Sequence, residues 1–159
     1  MHPLHQMEET VFHKIVKGEV PCHKVWEDDK HLAFLSIYPN TFGVTVVIPK
    51  KYSPSYFVEC KDEIMKDLII AAKKVAKLLD NTFDDVGRTA MVLEGFGVDY
   101  LHIKLFPLHG TKLDQWKPIE SKIDTYFDKY PGYVCSNDSV RFDDQKLAEL
   151  AKRIRKLEQ

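Results

Sequence analysis

The sequence predicts an α+β protein, a five-stranded antiparallel sheet with helices packed on it. Its 159 residues are 44% hydrophobic, which is enough for a compact domain with its own core. Five short segments rich in β-branched and aromatic residues are bounded by Gly, Pro, Asn or Asp, as strands are. Three segments repeat apolar residues at helical spacing. Their order is helix, three strands, helix, two strands and a final helix.

The first predicted elements are a short helix and a β-hairpin. Apolar residues recur at helical spacing between Glu8 and Lys17, and Gly18 is placed to end that helix. Residues 23–27 and 32–37 then read as two strands joined by a polar turn at 28–30. The chain therefore enters the sheet from a helix.

A central strand and the longest helix follow. Residues 44–48 are almost all β-branched and end at Pro49, which is typical of a buried strand. From Asp62 to Leu79 the apolar residues follow a period near 3.6, with charged residues on the other face. We expect this helix to lie across one face of the sheet.

Two more strands complete the predicted sheet. The fourth is predicted from Arg88 to Leu93, followed by a tight loop at 94–97. The fifth is predicted from Tyr100 to Phe106, where Pro107 should end it. If consecutive strands are neighbours, the sheet is a simple meander.

The last third of the chain is predicted to be an extension. We place the main domain at 1–110 and the extension at 111–159, which ends in an amphipathic helix with Asp143 as its N-cap. The extension has too few apolar residues for a core of its own. We therefore expect it, with Tyr126, Phe127, Tyr130 and Tyr133, to pack on the domain or on a partner subunit.

Charge and cysteine content exclude several classes of protein. The formal net charge is -1, so no global positive field exists to hold a nucleic acid, and neither a basic patch nor a zinc finger is present. Cys22, Cys60 and Cys135 are odd in number and widely spaced, which indicates neither disulfides nor a thiolate zinc site. No segment is apolar enough for a signal or a membrane helix. We expect a cytoplasmic protein without cofactor, metal or membrane contact.

The fifth strand carries the candidate chemistry. Alternation puts Leu101, Ile103 and Leu105 on one face and sets His102 between Tyr100 and Lys104 on the other. On spacing alone a single histidine on a strand is more often structural, and a single lysine there is usually solvent-facing. The face is nevertheless an unusual one to bury without a function.

The segment 100–107, Tyr-Leu-His-Ile-Lys-Leu-Phe-Pro, resembles the signature strand of the histidine triad (HIT) superfamily, in which histidines alternate with apolar residues before a proline. Segments 12–21, 25–29, 32–35 and 46–50 are similar to the same family in order and spacing. The resemblance covers about residues 11–107. It identifies a divergent member that keeps only the middle histidine.

The resemblance implies a nucleotide pocket, a homodimer and chemistry at the α-phosphorus. The residue that matches the family's nucleophile is His102, which would form a nucleotidyl-histidine intermediate. We expect Lys104, Gly97 and Tyr100 to contact phosphate, since a cation, a backbone N–H and a hydroxyl suit an anion. The residues expected to contact the rest of the nucleotide are Phe12, Ile15, Phe34, Leu35, Ser36, Ile37 and Val98.

Departures from the family pattern leave two functions open. Tyr100, Lys104, Val44 and Tyr52 stand where the family often has histidine, and Ser36 stands where it has an aspartate. The first function is a hydrolase or nucleotidyl transferase acting on nucleoside phosphoramidates or dinucleoside polyphosphates. The alternative is a nucleotide-binding or partner-binding module that keeps the fold without turnover. His2, His5, His13, His23, His31 and His109 show no metal-ligand pattern.

Overall fold

The computed structural model describes residues 8–157, so His2 and His5 lie outside the described part. The chain divides between Lys117 and Pro118 into two compact units. The first holds two α-helices and all five strands: α1 Val11–Val16, β1 Lys24–Glu27, β2 His31–Leu35, β3 Thr45–Pro49, α2 Asp62–Thr82, β4 Val86–Val92 and β5 Ile103–His109. The second holds α3 Asp144–Lys156.

Helix α1 is short and defined at both ends. The Thr10 side chain accepts from the His13 backbone N–H, and the His13 ring accepts in return from the Thr10 backbone N–H, which forms a capping box. Gly18 follows the C-terminus with a positive φ of 77°, as the sequence predicts. This geometry fixes where Phe12 enters the core.

The five strands form one antiparallel sheet in the order β1-β2-β3-β5-β4. The sheet with helices packed on it confirms the predicted fold class. The strand order differs from a simple meander, because β5 lies between β3 and β4. It pairs with both, Lys104 lying opposite Val46 on one side and Val92 on the other. The strand that carries the candidate chemistry is therefore central in the sheet.

The two faces of the sheet bury different clusters. On one face α2 packs over Ala33, Val47, Ile103 and Leu105. On the other face Phe12 of α1 packs with Phe34 and other residues, the rest of the buried cluster being Leu32, Val46, Ile48 and Tyr100. The second face is partly covered by the short helix α1, and it carries the candidate site.

Strand β5 is displaced by three residues from its predicted bounds. It begins at Ile103 instead of Tyr100, since the backbone N–H groups of Tyr100 and Leu101 bond to Val98 and Ser53 outside the ladder. It also continues through Pro107, which lies opposite Thr89 next to a break in the β4–β5 register. The missing proline N–H is tolerated at such an irregularity.

Helix α2 is the longest element, and it runs three residues beyond the predicted end at Leu79. The residues Leu68, Ala72 and Val75 are completely buried against the sheet. Their spacing follows the amphipathic period on which the prediction rests. No helix among the described residues is both long and apolar enough to cross a bilayer.

The second unit contains α3 and the irregular chain before it. Asp143 caps α3 by accepting from the Lys146 backbone N–H at 3.0 Å, as predicted. Two aromatic pairs lie within this unit, Tyr126 with Phe142 and Phe127 with Tyr133. That the extension packs on the first domain or on a partner stays a prediction, as do the domain bounds.

Candidate active site around His102

His102 lies just before β5, with only 3% of its surface exposed. Its Nδ1 atom is 2.6 Å from the carbonyl oxygen of Tyr100. A carbonyl oxygen can only accept a hydrogen bond, so Nδ1 must carry the proton in this contact. The neutral ring then keeps an unprotonated Nε2 with an available lone pair. The Phe12 ring meets the imidazole edge to face, with 5.1 Å between the centroids.

The surroundings of His102 favour its neutral form. Burial lowers the pKa of the imidazole below its ordinary value, and the positive charge of Lys104 lowers it further. The Tyr100 carbonyl and the negative charge of Glu94 act in the opposite direction without reversing the shift. At neutral pH the ring is therefore in the form that a nucleophile needs.

Lys104 shares the His102 side of the sheet. It pairs directly with Val46, which belongs to the cluster on that face, and its side chain is half-buried. Within residues 8–157 its ammonium forms neither a hydrogen bond nor an ion pair. A partly desolvated cation without a protein acceptor is suited to an anionic ligand.

The structure gives Tyr100 a different position from the predicted phosphate contact. The residue is 1% exposed, and its hydroxyl donates to the carbonyl oxygens of Pro49 at 2.5 Å and Lys50 at 3.1 Å. Its proton is thus committed to the backbone, and burial raises the pKa of the phenol to about 12. We therefore leave Tyr100 out of the phosphate site.

The loop between β4 and the His102 segment presents Gly97 to solvent. A Cβ atom added at Gly97 would meet nothing within 4 Å, so the space beside its backbone is open. Gly95 in the same loop is the opposite case. It has a positive φ of 62°, and a Cβ there would lie 2.4 Å from the Ser55 carbonyl oxygen. The Glu94 carboxylate accepts from the Phe96 N–H at 2.9 Å and steadies the loop.

Part of the predicted nucleotide-binding set is brought together. Ile15 and Val98 are half-buried and pack against the cluster that contains Phe12, Phe34 and Tyr100. Phe12 and Phe34 are 7% and 5% exposed, with 5.5 Å between their ring centroids. The two phenylalanines can thus form the floor of an apolar pocket, while Ile15 and Val98 keep accessible surface.

Three predicted residues lie apart from that cluster. Leu35 is opposite Thr45, which in turn is opposite Leu105 of the α2 face, so its side chain lies on the other side of the sheet from Phe34. The predicted nucleotide contact by Leu35 does not fit this placement. Ser36 and Ile37 lie beyond the end of β2, and Ile37 is 70% exposed.

His13 and Tyr52 contribute to the site although the sequence analysis gives them no role in it. Their rings stack at 4.9 Å, and each meets the Tyr100 ring edge to face. The spacing of Thr10 and His13 was a signal, since a polar ring three residues after a threonine can complete a capping box. Tyr52 lies forty-eight residues before Tyr100 in the chain, and no pattern in the sequence predicts that the two rings are in contact.

Two further histidines have structural partners. His31 lies against Asp28, and His109 bonds to Asp85 and to the Phe42 carbonyl oxygen. Among the described residues no three His, Cys, Asp or Glu side chains are grouped so that they could hold a metal ion.

Comparison with known proteins assigns the chain to a family. The sequence matches the HIT domain over residues 17–157, which includes the segment around His102 and most of the extension. The chain belongs to the HIT family. The match reaches well beyond residue 107, where the resemblance recognised in the sequence ends.

Individual HIT proteins support this assignment. The chain is 32% identical over 129 residues to "Protein hit" of Bacillus subtilis, covering 72% of this chain and 88% of that protein. It is 37% identical over 101 residues to the adenosine 5'-monophosphoramidase hnt1 of Schizosaccharomyces pombe, covering 61% and 72%. The crystal structure of a HIT family member from Bacillus subtilis has a TM-score of 0.63 at 29% identity, covering 94% and 97%.

Proposed function

We propose that this HIT protein hydrolyses or transfers a nucleoside monophosphoryl group from a nucleoside phosphoramidate or a dinucleoside polyphosphate. The observation that carries the proposal is the His102 imidazole, held by Nδ1 on the Tyr100 carbonyl with Nε2 unprotonated. The name of the fission yeast relative, an adenosine 5'-monophosphoramidase, agrees with a phosphoramidate substrate.

The proposed reaction has two steps at the α-phosphorus. Nε2 of His102 attacks phosphorus, a new N–P bond forms, and the bond to the leaving amine breaks as that amine takes up a proton from solvent. Water then attacks the nucleotidyl-histidine, breaks the N–P bond, returns one proton to solvent and releases the nucleoside monophosphate. The imidazole returns to its neutral form with Nδ1 still bonded to Tyr100.

Two residues are proposed to hold the phosphate. The Lys104 ammonium would offset the charge that accumulates on the phosphoryl oxygens during attack. The Gly97 N–H lies on an exposed loop, where the space that a Cβ atom would occupy is open. Together they supply a permanent cation and a neutral donor without any of the missing histidines.

The nucleoside is proposed to lie over the cluster on the α1 face. Phe12 and Phe34 form the floor, Ile15 and Val98 the accessible walls, and Ser36 and Ile37 are proposed contacts from the adjoining loop. Aromatic and aliphatic surfaces suit the flat face of a base.

Nucleotide binding without turnover is the second candidate function. It is favoured by Tyr100, whose hydroxyl is committed to Pro49 at a position where the family often has a histidine. If proton transfer to the leaving group needs that histidine, the pocket would bind a nucleotide without splitting its phosphate. The two candidates share a binding site and differ only in chemistry.

Product release distinguishes the two candidates. Wild type should release AMP from adenosine 5'-phosphoramidate, and His102→Ala should lose this activity by at least about a thousandfold, as expected for removal of a nucleophile. His31→Ala is a matched control, since His31 is also a buried histidine near a strand end. Equal rates in wild type and His102→Ala would refute catalysis by His102, and binding without turnover in either protein would establish the second candidate.

A cytoplasmic homodimer is proposed as the working form. Ile69 and Ile70 of α2 and Met91 of β4 are 43%, 53% and 42% exposed, and a partner subunit could cover them. Sedimentation should show a dimer at micromolar concentration, and a stable monomer there would contradict it.

A further inference from the structure

The Tyr100 side chain is enclosed on three sides by rings. Phe12, His13 and Tyr52 all meet it nearly perpendicularly, at centroid distances of 6.0, 4.9 and 5.4 Å. Edge-to-face contacts of this kind fix the orientation of an aromatic ring. The Tyr100 hydroxyl therefore has a defined direction.

That hydroxyl ties the His102 segment to the end of β3. It donates to the carbonyl oxygens of Pro49 and Lys50, at 2.5 and 3.1 Å. A second connection runs in parallel, since the Leu101 backbone N–H donates to the Ser53 carbonyl oxygen at 2.9 Å. Residues 100–101 are thus fastened to residues 49–53 by one side chain and one amide.

The anchored peptide is the one that orients the candidate nucleophile. The carbonyl oxygen of Tyr100 accepts from Nδ1 of His102 at 2.6 Å. Residues 100–102 precede β5, so the sheet ladder does not hold this carbonyl. Its position depends on the backbone hydrogen bonds from Tyr100 to Val98 and from Leu101 to Ser53, and on the Tyr100 side chain.

We infer that Tyr100 is a positioning residue, whose hydroxyl bond to Pro49 holds its own carbonyl against Nδ1 of His102 and keeps Nε2 unprotonated for attack. The inference rests on the proposed role of His102 as nucleophile. It accounts for a tyrosine at this position, because phenylalanine would fill the same volume without making the bond to Pro49. Tyr52 belongs to the same arrangement because its ring packs against the ring of Tyr100.

The tautomer of His102 provides a test that does not depend on activity. Nitrogen NMR of nucleotide-free wild type should show His102 with the proton on Nδ1, the signal being assigned with His102→Gln. In Tyr100→Phe the carbonyl is less constrained, and a measurable share of the other tautomer should appear. Tyr52→Phe is the matched control for the tautomer, since it keeps the ring and the Tyr52 hydroxyl makes no hydrogen bond within the described part of the chain, and it should show the wild-type tautomer.

Kinetics provide the second readout. Tyr100→Phe should lower kcat about tenfold with little change in KM, because a misoriented nucleophile affects attack more than substrate binding. A purely structural role would lower stability while leaving both the tautomer and kcat unchanged in the folded fraction. An unchanged tautomer together with unchanged kcat would overturn the inference.

The wild-type protein keeps the inference testable if Tyr100→Phe does not fold. The Tyr100 hydroxyl proton should exchange slowly with water and be visible by NMR, whereas a rapidly exchanging proton would overturn the anchor. A tautomer shift in Tyr100→Phe without turnover of either a nucleoside phosphoramidate or a dinucleoside polyphosphate by any variant would support the anchor and refute the proposed function, so the two failures are distinguishable.

Discussion

At the residue scale, the proposed chemistry depends on two side chains on one side of the sheet, one titratable and one charged. His102 is buried and neutral, and Lys104 is a half-buried cation without a protein partner in the described residues. The alternation of segment 100–106 predicts that they share a face. It could not predict that Tyr100 contacts His102 through its carbonyl oxygen while its hydroxyl bonds elsewhere. The hydroxyl bonds to Pro49, about fifty residues earlier in the chain, and local patterns do not record such a distant partner.

Lys104 is expected to control nucleotide affinity. A charge-assisted hydrogen bond contributes about 1.5 to 3 kcal/mol, so Lys104→Met, which keeps most of the bulk, should weaken AMP binding about tenfold or more by calorimetry. Lys104→His should recover part of the binding near pH 6 and lose it near pH 8.

Lys66→Met is the control for the lysine experiment. Lys66 lies on exposed α2 surface and pairs with Glu63, so its replacement should leave AMP affinity unchanged. If Lys104→Met binds AMP as tightly as wild type, Lys104 is a solvated strand residue and not a phosphate ligand.

At the element scale, the sequence predicts the faces of β5 better than its bounds. Leu101, Ile103 and Leu105 join the α2 cluster and Tyr100 joins the opposite one, as alternation requires. The predicted start of β5 at Tyr100 was wrong because the N–H groups of Tyr100 and Leu101 bond outside the sheet. Side-chain pattern records burial, whereas a strand boundary depends on which backbone partner is available.

The loop after β4 offers a matched pair of glycine substitutions. Gly95→Ala should lower the free energy of unfolding by about 1 to 3 kcal/mol, because of its positive φ and the contact with Ser55. Gly97→Ala should change it by less than about 1 kcal/mol, since the added methyl enters open space. Urea titration of both variants measures these values, and equal effects would contradict the loop geometry.

His109 connects the loop before β3 to the start of β4 in a pH-dependent way. Its Nε2 lies 2.7 Å from the Phe42 carbonyl oxygen and its Nδ1 lies 3.1 Å from Asp85. Both partners accept, so the doubly protonated ring satisfies both contacts. Accordingly the Phe42 carbonyl, and then Asp85, raise the pKa of His109.

The sign of the pH effect follows from that shift. A histidine with a raised folded pKa stabilises the protein fully below its unfolded pKa, and this contribution is lost as pH rises through the folded pKa. The difference in unfolding free energy between wild type and His109→Gln should therefore be largest near about pH 6 and shrink toward about pH 8.5. His23→Gln, at an exposed histidine, should show no such trend, and a pH-independent difference for His109→Gln would contradict the account.

At the scale of the whole molecule, the family and the fold could be predicted but the strand order could not. Local patterns indicate which segments are strands, and they carry no information on β5 lying between β3 and β4. The same limitation applies to the site, since Phe12, Tyr52 and Tyr100 come from three distant segments. The resemblance located Tyr100 and Tyr52 as positions where the family often has histidine, whereas their contacts required the structure.

The central claim is that His102 forms a covalent bond to the α-phosphorus of a nucleotide. Wild type mixed with a slight excess of adenosine 5'-phosphoramidate, denatured within the first turnover and mapped by peptide mass spectrometry measures this directly. The account predicts an adenylyl group on the peptide that contains His102, and none in His102→Gln. Release of AMP by wild type without any adduct on His102, or with the adduct on another residue, would contradict it.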